Sequence, residues 1–314
     1  MEYFSVFSLL FNLTLSSATP LIFAALGSML NENSGVTNIG LEGLMTTGAW
    51  MGVVVALFTH NPWLAFLCAG LASLLFAALY ALSTVYLHAN QIISGIALNF
   101  LAPGVVIFLN RLIFNGSVSS PALMLEYKMP RPFARIFQDN PSGILSNFFN
   151  FYLVVYLAFV AVIILWYILY RTRLGLHIRA VGEHPHAADT MGINVYRMRF
   201  FCLLGSGFFV GLGGASITLA IVSGFRPSVI SGQGFIALAA VILGQWHPLG
   251  VLSSCLLFGF FRALAVFLDG PAVNLQVSPH LWATLPYICS LIVLVFAAKR
   301  NRGPASLGKP YMRS

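Results

Sequence analysis

Residues 63–87 read WLAFLCAGLASLLFAALYALSTVYL, twenty-five positions without one charged side chain. The hydrocarbon core of a bilayer is about 30 Å thick, and a helix crosses it with about 20 apolar residues. This stretch is long enough to cross, and His60-Asn61-Pro62 punctuates its start.

The rest of the 314-residue chain repeats the pattern: 59% of residues are hydrophobic and 8% are charged, with a mean hydropathy of +0.88. Soluble domains carry roughly 25% charged residues, so the few charges here cannot cover so much apolar surface. The fold class is an all-α polytopic membrane protein. Spans are expected near 8–30, 38–58, 63–87, 91–113, 151–170, 200–222, 232–246, 248–268 and 281–298, about nine in all. Two of them are broken or short. One opens with Ile39-Gly40-Leu41-Glu42-Gly43, and the other follows Gly232-Gln233-Gly234. The longest polar stretches, Asn115–Asn147, Arg171–Arg199 and the tail from Lys299, leave no room for a fused soluble domain, so residues 1–314 read as one transmembrane domain.

The net charge of +8 does not point to nucleic acid, because its placement is that of a membrane protein. The first basic residue is Arg111. Ten of the sixteen lie in a 171–199 loop (Arg171, Arg173, Arg179, Arg197, Arg199) and a 299–314 tail (Lys299, Arg300, Arg302, Lys309, Arg313). Basic clusters beside spans mark cytoplasmic loops. The four spans between the two clusters agree with that assignment, and the five before the loop put the N-terminus outside. Lys128, Arg131 and Arg135 then fall in an external loop. Met1-Glu2-Tyr3 runs into apolar sequence without a basic region, which argues against a cleaved signal peptide. Cys68, Cys202, Cys255 and Cys289 lie in apolar runs without paired spacing and read as small buried hydrophobes. Gly48/Gly52 and Gly207/Gly211 form two GxxxG pairs, suited to close helix contact within one subunit or, alternatively, at a subunit interface.

Few residues here could carry chemistry. In the 171–199 loop, Pro185 suits the first position of a helix and Gly192 the residue just past its end. Ala187 and Ala188 lie between them, so the loop reads as a short, stiff helix projecting into the cytoplasm. Glu183, His184 and His186 are too stiffened by Pro185, and too few, for a zinc site. Gly303-Pro304-Ala305-Ser306-Leu307-Gly308-Lys309-Pro310 imitates a phosphate-binding loop but is one residue short, has Pro310 where Ser or Thr is needed, and lacks the strand and helix the motif requires. No HExxH or paired-Asp catalytic set occurs, and no enzyme activity or cofactor is expected of this chain. Glu42 and Arg262 are the ionisable residues clearly inside spans, and such residues are functional candidates by default. Beside Gly40 and Gly43, Glu42 either caps backbone N–H groups of a broken helix or lines a pathway or gate with Asn38. Arg262 either snorkels to the outer interface or pairs with Asp269.

Three motifs in order make a family recognisable. Asn33-Ser34-Gly35-Val36-Thr37-Asn38-Ile39-Gly40-Leu41-Glu42-Gly43 resembles the signature of nucleoside-type ABC-importer permeases. The stretch from Gly175-Leu176 through Arg179-Ala180-Val181-Gly182-Glu183, Pro185, Ala187-Ala188 and Gly192-Ile193 resembles their coupling loop, shared with simple-sugar relatives. Gly234-Phe235-Ile236-Ala237-Leu238-Ala239-Ala240-Val241-Ile242-Leu243-Gly244, then Trp246 and Pro248-Leu249-Gly250, follows downstream. Gln245 and His247 depart from the family pattern, and the extra first span of ribose-type permeases is absent.

The resemblance implies an ATP-driven importer of the bacterial cytoplasmic (inner) membrane. This chain would pair with a second permease chain, identical or homologous, amid membrane lipids. ABC ATPase subunits holding ATP and Mg would dock on Gly182, Glu183, Pro185, Ala187, Ala188 and Gly192. An external substrate-binding lipoprotein would deliver the small-molecule solute past Asn38, Gly40, Glu42 and Gly43. A nucleoside or purine is the expected solute, with Trp50 or Phe225 able to stack on its base. A pentose or hexose is the alternative, and a secondary transporter or channel is the alternative of a different class.

Overall fold

The computed structural model describes residues 2–134, 136–137, 143–269 and 303–312, together with the helical positions Thr284, Ile288, Leu291, Ile292 and Val295. Every regular element among them is helical: α1 Glu2–Glu32, α2 Leu41–Thr59, α3 Pro62–Ala81, α4 Gln91–Ile113, α5 Ile144–Phe149, α6 Leu153–Arg171, α7 Arg173–Glu183, α8 Pro185–Thr190, α9 Val195–Ser216, α10 Gln233–Leu243 and α11 Pro248–Leu268. Single π-helical turns extend α3 through Leu82–Tyr86 and α9 through Ile217–Ile221.

Local chemistry sets the helix starts. Asn61 precedes Pro62 and accepts the N–H groups of Trp63 and Leu64, and Asn90 does the same for Ile92 and Ile93. These caps satisfy N–H groups that have no partner inside the helix. His247 caps α11 through Nδ1, which gives that departure from the family pattern a structural role.

Seven of the described helices are long and apolar enough to cross a membrane, from Val6–Glu32 to Pro248–Leu268. They match seven of the expected spans within a few residues. The expected span at 232–246 contains only the eleven residues of α10, which rise about 16 Å, half the hydrocarbon thickness. The expected span at 281–298 lies mostly outside the described residues, as do Arg135 and Cys289.

The centre of the bundle is α9, packed between α1, α2 and α3. Both GxxxG pairs face inward here. Gly48 on α2 lies against the backbone of Gly211, Gly52 lies against Ala215, and Gly207 and Gly211 also press on Ala77 and Ser73 of α3. α4 sits on the outside of α2, and α11 runs antiparallel to α1, with Gly259 against Thr14 and Ala18. Cys202 and Cys255 are buried and Cys68 half-buried, all as free thiols.

The two ends of the bundle differ in character. At one end, residues 120–129 are pinned to the end of α9 by backbone hydrogen bonds from Ser120 to Phe225 (3.0 Å), Leu123 to Ser223 (2.6 Å) and Met129 to Leu219 (3.1 Å). Lys128 is buried there, and the Arg131 guanidinium lies 4.2 Å above the Tyr152 ring. At the other end, the Glu32–Gly35 turn, α7, α8, the start of α9 and residues 303–312 form one cluster.

Candidate functional site

The turn between α1 and α2 is built from side chains that replace missing helical bonds. Asn38 Oδ1 accepts the Gly40 N–H at 2.9 Å, Gln91 Oε1 accepts that of Thr37 at 2.8 Å, and Tyr80 donates to the Thr37 carbonyl. Asn99 of α4 bridges the helix start, accepting from Gly43 N and donating to Ile39 O, both at 2.9 Å. Gly40 and Gly43 face α4, tight against Leu98. Of the four residues expected on a pathway, these two are packing positions, and Asn38 is fully buried with its Nδ2 unpartnered among the described residues.

Glu42 turns the other way. Its Oε1 accepts the N–H of Gly232 at 2.6 Å and its Oε2 that of Gly234 at 2.9 Å. The carboxylate therefore caps a broken helix end, but the end belongs to α10 rather than to its own helix. A helix N-terminus carries partial positive charge and unpaired N–H groups, so an anion there is doubly satisfied. Beside it, Gln233 is buried, with Nε2 unpartnered among the described residues.

The 171–199 loop folds as two helices joined at a corner. Thr172 caps α7 by accepting the Gly175 N–H. Pro185 opens the six-residue α8, and Gly192 follows it with φ +85°, a left-handed turn that favours glycine. Glu183 and Ala187 are exposed, whereas Gly182 and Ala188 are buried. Gly182 lies against the Asn33–Gly35 turn, and Ala188 packs with Val181, Val195 and Tyr311. The expected contact set thus divides into residues facing out and residues that hold the corner in place. The His186 ring meets the Tyr311 ring at a tilt of 54° with centroids 5.0 Å apart, and Glu183 accepts the Ala305 N–H at 3.3 Å.

Comparison with known proteins now decides the family. The family described as branched-chain amino acid transport system / permease component matches residues 10–297. The chain belongs to this family. It is also 40% identical over 330 aligned residues to the guanosine ABC transporter permease protein NupQ of Bacillus subtilis (strain 168), covering 100% of this chain and 99% of that one. It is 39% identical to the nucleoside ABC transporter permease protein NupC of Lactococcus lactis subsp. cremoris (strain MG1363), over 95% and 94% of the two chains. It is 34% identical to the putative glucose ABC transporter permease protein TsgC13 of Haloferax volcanii, over 97% of each. No solved structure matches the chain.

A permease component moves solute rather than transforming it, and several of its structural residues escaped the sequence reading. Glu32 is buried at the end of α1, accepting from Ser28 at 2.9 Å and from the Trp246 indole at 2.5 Å. Arg199 reads as one more loop charge, yet it is 3% exposed and donates to Ser34 O, Lys309 O and Ser306 Oγ. The tail that imitates a phosphate loop is a strap. Ser306 donates to Gly182 O at 2.6 Å, and Gly308 N donates to Gly35 O at 3.2 Å. Trp50 and Phe225, the candidate stacking rings, are buried within the chain, Trp50 with its indole on Asn110 Oδ1.

Proposed function

We infer that this chain is the permease subunit of an ATP-driven importer for nucleosides in the bacterial cytoplasmic membrane. The observation that carries the substrate class is the end-to-end identity of about two residues in five with guanosine and nucleoside permeases. The sugar reading draws on a lower identity with a putative glucose permease.

In this reading the chain crosses nine times, N-terminus outside, with 222–246 as one broken crossing and 281–298 as the last. A second permease chain completes the pathway, and a binding lipoprotein delivers solute from outside. A separate pair of ATPase subunits holds ATP and Mg²⁺. The α7–α8 corner, presenting Glu183, Pro185 and Ala187, seats in a groove on the ATPase. Closure of the ATPase pair carries the corner with it. Through Gly182, Ser306 and Gly35 the displacement reaches the α1–α2 turn and the Glu42–α10 contact, which supports a switch of the pathway from one side to the other.

The deciding experiment is uptake by proteoliposomes holding the complete purified complex. Radiolabelled guanosine should accumulate with ATP and be displaced by unlabelled nucleosides but not by glucose or ribose. Displacement by sugars alone would reverse the assignment.

A further inference from the structure

Between α9 and α10 the chain abandons helical structure over 222–232. Both ends of this segment are fixed. Leu219 and Phe225 are bonded to the 120–129 loop at the outer end of the bundle, and Gly232 and Gly234 are bonded to Glu42 in the first turn of α2. Leu219 lies beside Gly52, ten residues further along α2 than Glu42, which at 1.5 Å per residue is about 15 Å higher. Arg226-Pro227-Ser228-Val229-Ile230-Ser231 therefore runs down through membrane depth. Two turns fold it on the way, with Val229 N donating to Arg226 O at 3.0 Å and Gln233 N to Ile230 O at 3.2 Å.

Its side chains sort by chemistry. Ile230 is buried and Val229 packs on the core, whereas Arg226, Ser228 and Ser231 are exposed at the surface of the subunit. Non-helical backbone at membrane depth is tolerated only where protein buries it or where it lines a water-filled cavity. An arginine at that depth is costly toward lipid and favours the bundle interior or a water-filled cavity.

We propose that Arg226, Ser228 and Ser231 line the translocation pathway and that Arg226 and Ser228 contact the solute, with Arg226 selecting purines that present a double acceptor edge. A guanidinium donates two parallel hydrogen bonds and matches the O6 and N7 acceptors of guanine. Adenine offers a donor in place of O6. The Ser228 hydroxyl suits ribose hydroxyls, which both donate and accept, while the Ser231 hydroxyl donates to the Ser228 carbonyl and shapes the turn beside it. The assignment rests on the nucleoside reading.

The test uses the complete complex, with its binding protein, in proteoliposomes and a cysteine-free permease background. Ser228→Cys should react with a membrane-impermeant cationic thiosulfonate, and guanosine in the presence of ATP should slow that reaction by at least about fivefold, the lower end of coupling between linked events. Leu75→Cys, on an exposed apolar stretch of α3, should stay unreactive. Arg226→Gln should abolish the preference for guanosine over adenosine in solute-stimulated ATP hydrolysis while leaving ATPase association intact. A Ser228→Cys thiol that does not react, or that no solute protects, overturns the lining. Loss of protection confined to nucleosides, with glucose protecting instead, supports the lining and overturns the nucleoside reading. A guanosine preference unchanged in Arg226→Gln overturns the role of the arginine.

Discussion

Glu42 Oε1 accepts the N–H of Gly232 at 2.6 Å across 190 residues of sequence. The bond ties the first turn of α2 to the start of α10, two helix ends that meet inside the bundle. Water cannot satisfy the N–H groups of such a helix unless a cavity reaches it. A carboxylate supplies two acceptors and a charge of the right sign for the helix dipole.

Removing that acceptor should therefore cost stability. Hydrogen bonds to charged groups are worth about 1.5–3 kcal/mol each, and orphaned buried donors cost a similar amount. Glu42→Leu should lower Tm in detergent and depress transport together. Glu42→Gln keeps one acceptor but turns an amide N–H₂ toward the other donor, so its loss should be intermediate. A purely gating carboxylate gives the opposite pattern, an unchanged Tm with lost transport in both variants. Thermal unfolding of the purified permease alongside uptake separates the two.

Much of this architecture was legible because lipid imposes strict rules. Long apolar runs after punctuation such as His60-Asn61-Pro62 read as spans, seven of which the described residues show, and Pro185 and Gly192 bracket a helix by their backbone preferences alone. The partner of Glu42 was not legible, because nothing local to Gly232 announces which carboxylate its N–H will meet. The burial of Arg199 and Glu32 was not legible for the same reason. Their sequence neighbours are loop-like, and only the folded strap at Ser306 and the indole of Trp246 make burial of a polar group affordable. Gly40 and Gly43 looked like a helix break beside a cavity, but α4 fills that space with Leu98.

The α7–α8 corner separates docking from folding in a way that mutation can read. Ala187 is exposed, whereas Ala188 is 4% exposed beneath Tyr311 and Val195. Ala187→Arg should leave Tm unchanged and abolish co-purification of the ATPase. Ala188→Arg should lower Tm by forcing a long charged side chain into packed space, an overpacking cost of about 1–3 kcal/mol. If Ala187→Arg retains the ATPase and full uptake, the corner is not the contact.

Helix contact at Gly48 leaves no room for a methyl, because a Cβ there would fall on the Gly211 backbone of α9. Backbone atoms cannot swing aside as a side chain can. Gly48→Ala should destabilise by about 1–3 kcal/mol despite the better helix propensity of alanine. Gly104, inside α4 with nothing within 4 Å of a built Cβ, is the control. Gly104→Ala should be neutral or stabilising by up to about 1 kcal/mol. Equal stabilities for the two variants would show that α2 and α9 do not approach as closely as described.

The most demanding prediction concerns how the chain crosses between α9 and α11. An eleven-residue helix spans only about 16 Å, too little for a crossing, so α10 alone would suggest a hairpin that returns to its own side. The contacts argue otherwise. Phe225 is bonded to Ser120 at the end of the bundle where α9 finishes, while the Trp246 indole donates to Glu32 at the end where α1 finishes and α7 begins. The irregular stretch before α10 covers the remaining depth, and Gln245 and Trp246, both at φ +54°, turn the chain into α11. Arg226 and Gln245 are both exposed, so single cysteines at these positions can be probed with an impermeant maleimide in a cysteine-free background. Arg226→Cys should label in intact spheroplasts, as should Glu126→Cys. Gln245→Cys should label only after permeabilisation, as should Thr190→Cys on α8. Labelling of Gln245→Cys from outside would make 222–246 a hairpin and place α11 the other way up, contrary to its antiparallel packing on α1.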